Sequence, residues 1–212
     1  MRVLATADTL GGVWTYALEL ARALAPSGVE TVIATMGAPL TADQRREAAG
    51  IEVCESAWKL EWVDDPWEDV ARAGDWLLAL EARLRPDIVH LNGYAHGAIP
   101  WRAPVLVAGH SCVLSWWRAV KGGEAPPSWD RYRREVAGGL RGAGTVAAPT
   151  RAMLESLRGD YGPLGRSAVI PNARRAALFR PTAKEPLVFT AGRLWDEGKN
   201  LADRKTSCRE RV

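Results

Sequence analysis

Val3-Leu4-Ala5-Thr6-Ala7, followed by Asp8-Thr9-Leu10-Gly11-Gly12 and then by Val13-Trp14-Thr15-Tyr16-Ala17-Leu18, reads as strand, loop and helix in direct succession. The first run is short and apolar, as in a buried strand, while Leu18, Ala21 and Leu24 recur at helical spacing and give the helix one apolar face. Pro26 and Gly28 close that helix. The same alternation then repeats. Val29 to Thr35 reads as a second strand, Thr41-Ala42-Asp43-Gln44 as the cap of a short polar helix reaching Gly50, and Ile51 to Cys54 as a third strand. A helix from about Pro66 to Leu84 leads into a fourth strand, Ile88-Val89-His90-Leu91. Val105 to Ala108, Thr145 to Ala148 and Ala168 to Ile170 supply three more. Between them lie a charged helix from Ser128 to Arg141, expected to break at Gly138-Gly139, and a helix capped by Thr150. Parallel strands need crossover connections, so strands alternating with helices of this length predict an α/β fold, a Rossmann-like doubly wound parallel sheet. In such sheets ligands sit outside the carboxyl ends of the strands, which directs attention to the loops after strands one, four, five and seven.

Size and composition limit the alternatives. At 212 residues the chain holds one sizeable domain and part of a second, and 47% hydrophobic with 25% charged residues is ordinary for a globular protein with a real core, so disorder is not the default reading. Of the net charge of +3, +2 falls in residues 203–212, and the remaining basic residues are spread along the chain, which argues against a nucleic-acid partner. Cys54, Cys112 and Cys208 form no C-x-x-C pair, and the histidines form no metal-binding spacing, so neither a zinc site nor another metal is expected. Cys54 and Cys112 read as small core residues. The opening residues turn polar too soon for a signal peptide, and no run approaches the roughly 18 apolar residues of a membrane span, so a cytoplasmic location is expected. Val113 to Lys121 mixes tryptophan with basic residues; a peripheral membrane contact is one reading, a groove-lining or core helix the preferred one.

Three features carry candidate chemistry. Gly11-Gly12 lets a backbone come close to a ligand and turns a helix N-terminus toward it, which suits an anion or a sugar hydroxyl; a tight turn needing glycine explains the pair equally well. His110, at the end of the fifth strand in Gly109-His110-Ser111, is placed to hydrogen-bond a sugar hydroxyl or to steady charge, although a lone histidine is more often structural. His90 falls within a strand, and His96 in a loop without an identifiable partner. Arg193 and Lys199 flank one loop after a strand, and two such cations can clamp a diphosphate, although spacing alone does not separate this from two solvated charges. No G-x-G-x-x-G follows the first strand, and Gly142-Ala143-Gly144-Thr145-Val146-Ala147 precedes a strand instead, so a dinucleotide-binding oxidoreductase or epimerase is disfavoured.

Taken in order, several segments resemble family-4 glycosyltransferases: Leu10-Gly11-Gly12-Val13 with the helix Tyr16 to Leu24, Pro86-Asp87-Ile88-Val89-His90, Gly109-His110-Ser111, Pro149-Thr150-Arg151-Ala152-Met153, Val169-Ile170-Pro171-Asn172, and Gly192-Arg193-Leu194 with Lys199. The resemblance implies the N-terminal part of a GT-B enzyme, two Rossmann-like domains across a cleft. Such an enzyme moves a sugar from a nucleotide-diphosphate donor to an acceptor with retention and without a metal or other cofactor. It implies that Gly11 and Gly12 lie beside the donor phosphates, that His110 contacts the transferred sugar as the catalytic-centre residue, and that Arg193 and Lys199 hold the diphosphate. The acceptor, whether saccharide, lipid or small molecule, is not specified. Residues 1–171 are then the acceptor-side domain, 172–185 a linker, and 186–202 the first strand and loop of a donor-binding domain. Residues 203–212, whose ending resembles a translated sequencing adapter, read as a non-native tail, and a chain so cut is expected to be inactive alone. The alternative is a non-catalytic module that binds a carbohydrate or nucleotide. Two departures from the family pattern stand out: Asn172-Ala173-Arg174-Arg175 replaces Asn-Gly in the linker, and the donor-domain pair of glutamates is missing. Glu47 and Glu55 have the pair's spacing but lie in the first domain and are assigned no role.

Overall fold

The computed structural model describes residues 1–184, 186 and 197–199. Its centre is a parallel sheet of seven strands: β1 (Arg2–Asp8), β2 (Glu30–Met36), β3 (Glu52–Glu55), β4 (Ile88–Leu91), β5 (Val105–Ala108), β6 (Thr145–Ala148) and β7 (Ser167–Val169). The strands lie in the order β3-β2-β1-β4-β5-β6-β7. The chain therefore runs outward from β1 to β3, crosses back to β4, and runs outward the other way. Between β1 and β4 the direction of winding reverses, and this switch point is where a doubly wound sheet opens a crevice for ligands.

The helices are α1 (Gly12–Leu24), α2 (Ala42–Glu47), α3 (Trp67–Leu84), α4 (Val113–Lys121), α5 (Asp130–Gly142) and α6 (Arg151–Tyr161). Strand parity sorts the core into two layers. Ala7 and Ile33 pack with Trp14, Ala17 and Leu18 of α1 on one face. Leu4, Val32 and Ala34 pack with Ala73, Leu77 and Leu80 of α3 on the other. That second layer continues over β4 to β6, where Val89, Leu91, Val107 and Val146 meet Leu114 of α4, Val136 of α5 and Leu157 of α6, each at most 1% exposed. Burying a side chain of this size contributes about 1.5–3 kcal/mol relative to leaving it exposed, so this layer is the largest source of stability. On α1's face the cover thins past β1, and Ile88, His90, Leu106 and Ala108 line a cavity of about 230 Å³ together with Tyr16, Leu20 and Leu24.

Local signals account for the helix ends. Thr41 and Gln44 form the expected capping box, each side chain accepting from the other's backbone N–H. The Thr150 hydroxyl accepts from Met153 N at 3.1 Å and opens α6. One expectation fails: α5 runs unbroken through Gly138-Gly139. The glycines there serve close approach. A Cβ on Gly139 would lie 1.7 Å from the Tyr94 carbonyl oxygen, and one on Gly97 or Gly142 would lie 2.3 Å from the other chain segment's backbone oxygen. Backbone thus packs on backbone where α5 meets the 3-10 turn Ala95–Ala98. His96, expected in a loop without a partner, is buried in that turn and bonds through Nε2 to the Val70 carbonyl at 2.9 Å. Glu47 and Glu55 serve the fold: Glu47 accepts from the Trp14 indole at 2.8 Å, and Glu55 pairs with Arg45. Cys112 is buried as expected, whereas Cys54 is only half-buried.

Candidate functional site

The site builds up from the carboxyl ends of β1, β4 and β5. Beyond β1, Thr9 ties the loop down by exchanging hydrogen bonds with Ala38, Oγ1 donating at 2.8 Å and accepting at 3.0 Å. Leu10 N donates to the Asp8 carboxylate at 3.0 Å. Gly11 is then the N-cap of α1 in extended backbone, with no side chain capping the helix. Both glycines are exposed. Neither has a positive φ, and a Cβ on Gly12 would meet nothing within 4 Å, while one on Gly11 would touch the Asp8 carboxylate at an ordinary 3.4 Å. The requirement for a tight turn is thus not what this geometry displays. What it displays is an uncapped helix N-terminus with room in front of it, and the first N–H groups of such a helix carry a partial positive charge.

One turn along α1, about 6 Å from Gly12 at helical rise, stands Tyr16. Its ring meets the ring of His110 edge-on at 4.5 Å between centroids. His110 follows β5 and is partly buried. Its Nε2 lies 2.8 Å from Asn92 Oδ1 at the end of β4. Asn92 in turn is anchored to β1, its Nδ2 donating to the Thr6 carbonyl at 2.6 Å and its backbone N to Thr6 Oγ1 at 2.9 Å. Burial lowers the His110 pKa to about 4, so the imidazole is neutral near pH 7. His90, beneath it in β4, is likewise lowered to about 4, first by burial and then by His110, with Asn92 opposing. The structure therefore gathers the Gly11-Gly12 helix end, Tyr16, His90, Asn92 and His110 at the switch point.

The other two expected site residues fare differently. Arg193 and the expected strand from Leu187 to Ala191 lie outside the described residues, as does the whole of 203–212. Lys199 ends an exposed 3-10 turn, Glu197–Lys199, whose Glu197 carboxylate pairs with Lys121 at the end of α4. No described helix is long and apolar enough to cross a membrane.

Three positions that matter here escaped the sequence. Asn92 stands next but one to His90, yet its partners are Thr6 and His110, far away in the chain. Glu61 is buried, and its carboxylate accepts from Tyr94 N at 3.0 Å and Ala95 N at 2.7 Å, holding the loop just past Asn92. Burial raises its pKa against those backbone donors. Glu19, on the buried side of α1, accepts from the backbone and guanidinium of Arg175 and faces Arg174 at 3.8 Å. Arg174-Arg175, which follow Asn172-Ala173 where the family pattern has Asn-Gly and then an acidic residue, thus clasp the expected linker to α1. The Glu19 carboxyl is pushed up by burial and brought down further by the two arginines, for a net lowering. A pair of arginines following Asn172 was the available signal.

Comparison with known proteins fits this architecture. The structure resembles a glycosyltransferase from Rickettsia africae at 17% identity and a TM-score of 0.58, over 99% of this chain and 48% of that one. It resembles sucrose-phosphate synthase from Thermosynechococcus elongatus at 15% identity and a TM-score of 0.65, over 86% and 50%. The protein LpCGTa, solved in complex with UDP, aligns at 17% identity and a TM-score of 0.52, over 80% and 52%. These likenesses show the fold, and the chain spans about half the length of each of the three. No curated protein matches the sequence. The sequence itself matches the model of Glycosyltransferase Family 4 over residues 10–176, most of the chain, a range that takes in Gly11, Gly12, Tyr16, His90, Asn92 and His110. The chain belongs to glycosyltransferase family 4.

Proposed function

We propose that this chain forms the acceptor-side half of a retaining glycosyltransferase that takes a sugar from a nucleotide-diphosphate donor. The observation that carries the reading is the open N-terminus of α1 at Gly11-Gly12, with Tyr16 one helical turn along it and His110 against the Tyr16 ring, tethered by Asn92. The reaction breaks the bond between the anomeric carbon and the diphosphate and forms one to an acceptor hydroxyl oxygen on the same face. Negative charge develops on the leaving diphosphate. The free N–H groups of α1 stabilise it without reorganising, and Arg193 and Lys199 add two cations, so no metal is required for that task. His110, neutral near pH 7, hydrogen-bonds a hydroxyl of the transferred sugar and helps fix it for attack. A UDP complex of a protein with this fold supports a nucleoside diphosphate as the leaving group. The acceptor enters from the N-terminal domain's side, and α4, with Trp116, Trp117 and Lys121, is its candidate wall; at a lipid surface the same wall makes a peripheral contact.

The test is release of nucleoside diphosphate from a panel of UDP-, GDP- and ADP-sugars by the protein at the full length of its solved relatives. Turnover with one donor, reduced at least about tenfold by Gly12→Val and by Arg193→Ala, is the expected result. Absence of release and of binding across the panel overturns the reading. Donor binding without transfer to any acceptor establishes a non-catalytic module instead.

A further inference from the structure

His110 has two ring nitrogens, and the hydrogen-bond chain beneath it decides which one carries the proton. The chain begins at the Thr6 carbonyl, which can only accept. Asn92 Nδ2 donates to it at 2.6 Å, and reversing the amide would set Oδ1 against that carbonyl, two acceptors at contact distance. The amide orientation is therefore fixed, and Oδ1 is the atom that faces His110 Nε2 at 2.8 Å. An acceptor there demands a donor, so Nε2 bears the hydrogen. Nδ1 is left with its lone pair and has no hydrogen-bond partner among the described residues. The ring itself is held edge-on against Tyr16 at 4.5 Å, which restricts the flip that would carry Nε2 away from Asn92.

We propose that Asn92 is a positioning residue that locks His110 in the Nε2–H tautomer, so that the ring offers an acceptor, Nδ1, to whatever binds at the switch point. Resting on the glycosyltransferase reading, this selects a donor-sugar group that gives a hydrogen bond, a neutral hydroxyl, over a carboxylate or phosphate at the same place. An imidazole lone pair attracts the first and repels the other two. The partial charge of α1's N-terminus handles the anion; His110 handles the hydroxyl. The division of labour follows from the Thr6-Asn92-His110 chain and not from the histidine alone. The pKa of His110, about 4, agrees with a ring that stays neutral at working pH.

The experiment uses the chain as it is, labelled with 15N-histidine, in two-bond 1H–15N correlation spectra near pH 7. With three histidines in the sequence, single substitutions assign each signal. His110 is expected to show the pure Nε2–H pattern. Asn92→Leu, which can accept nothing, is expected to populate the Nδ1–H form. Asn92→Asp is expected to keep Nε2–H while raising the His110 titration midpoint by about one pH unit or more, because a carboxylate favours the protonated ring. A role in packing alone would move neither reading in that pattern. An Nδ1–H or doubly protonated His110 in the unsubstituted protein overturns the proposal, as does an unchanged tautomer in Asn92→Leu. Should Asn92→Leu fail to fold, the spectrum of the unsubstituted protein and the Asn92→Asp titration still decide. Because no substrate is needed, failure of every sugar donor would count against the glycosyltransferase reading and leave this assignment standing.

Discussion

Gly11 and Gly12 stand at the head of α1 with open space before them, whereas Gly97, Gly139 and Gly142 are wedged backbone against backbone where α5 meets the turn after β4. In the sequence neither set announces its role: Gly11 and Gly12 open one helix, while Gly139 and Gly142 lie in another and Gly97 in a short turn. Their surroundings differ completely. One set is small because this chain already fills the space a side chain would need. The other is small although a Cβ on Gly12 would meet nothing within 4 Å and one on Gly11 only the Asp8 carboxylate at 3.4 Å, and that is the condition under which a group from outside can approach the helix dipole. Glycine alone signals neither case; the occupant of the space decides.

Substitutions can break that comparison directly. The largest effect is expected for Gly139→Ala, whose new methyl would fall 1.7 Å from the Tyr94 carbonyl oxygen and force two backbones apart. A loss above about 3 kcal/mol in urea-unfolding stability is predicted, at or past the upper end for overpacked cores. A loss under about 1 kcal/mol would mean that the contact is loose. Next comes acid. His90, buried in β4, and His110, partly buried beyond β5, have pKa values near 4 against about 6.5 when unfolded, so between those values the unfolded chain binds the protons. Stability from this source is fully present above about pH 6.5 and is lost as pH falls toward 4. Unfolding at pH 7.5 and 5.0 should differ by about 2 kcal/mol per histidine at most. Glu61, raised by burial, works in the opposite sense and trims the total. His90→Gln with His110→Gln should flatten the profile. A smaller change, about 1 kcal/mol, is expected from Thr150→Ala, which removes the cap of α6. The smallest is expected for Gly12→Ala. With extended backbone before it and space around it, the change in stability should stay within about 0.5 kcal/mol, of stabilising sign if anything.

Much of the sheet was legible because buried parallel strands are short apolar runs, and β4, β5 and β6 fall where Ile88-Leu91, Val105-Ala108 and Thr145-Ala148 were read. Caps were legible too, since Thr41 to Gln44 and Thr150 to Met153 are contacts of three residues' reach. What escaped depends on distance along the chain. The continuity of α5 through Gly138-Gly139 rests on Tyr94 and Gly97, the weight of Asn92 on Thr6, and the place of Glu61 on the Tyr94 backbone. No local pattern encodes such partners. His110 was legible as a residue at the right strand end, but its neutral state and its tether were not, because burial and Asn92 create both. Gly11 and Gly12 were found by position, while the choice between a tight turn and a ligand site needed the empty space to be seen.

The central claim is that the head of α1 and His110 face a nucleotide-sugar while the α5 contact is purely structural. The most direct measurement is amide chemical-shift mapping of this chain during titration with uridine diphosphate. The account predicts the largest shifts at Gly11, Gly12 and Val13, where the diphosphate meets the helix end, with Gly97, Gly139 and Gly142 unmoved. Shifts centred on the α5 contact, or none at the head of α1, would contradict it.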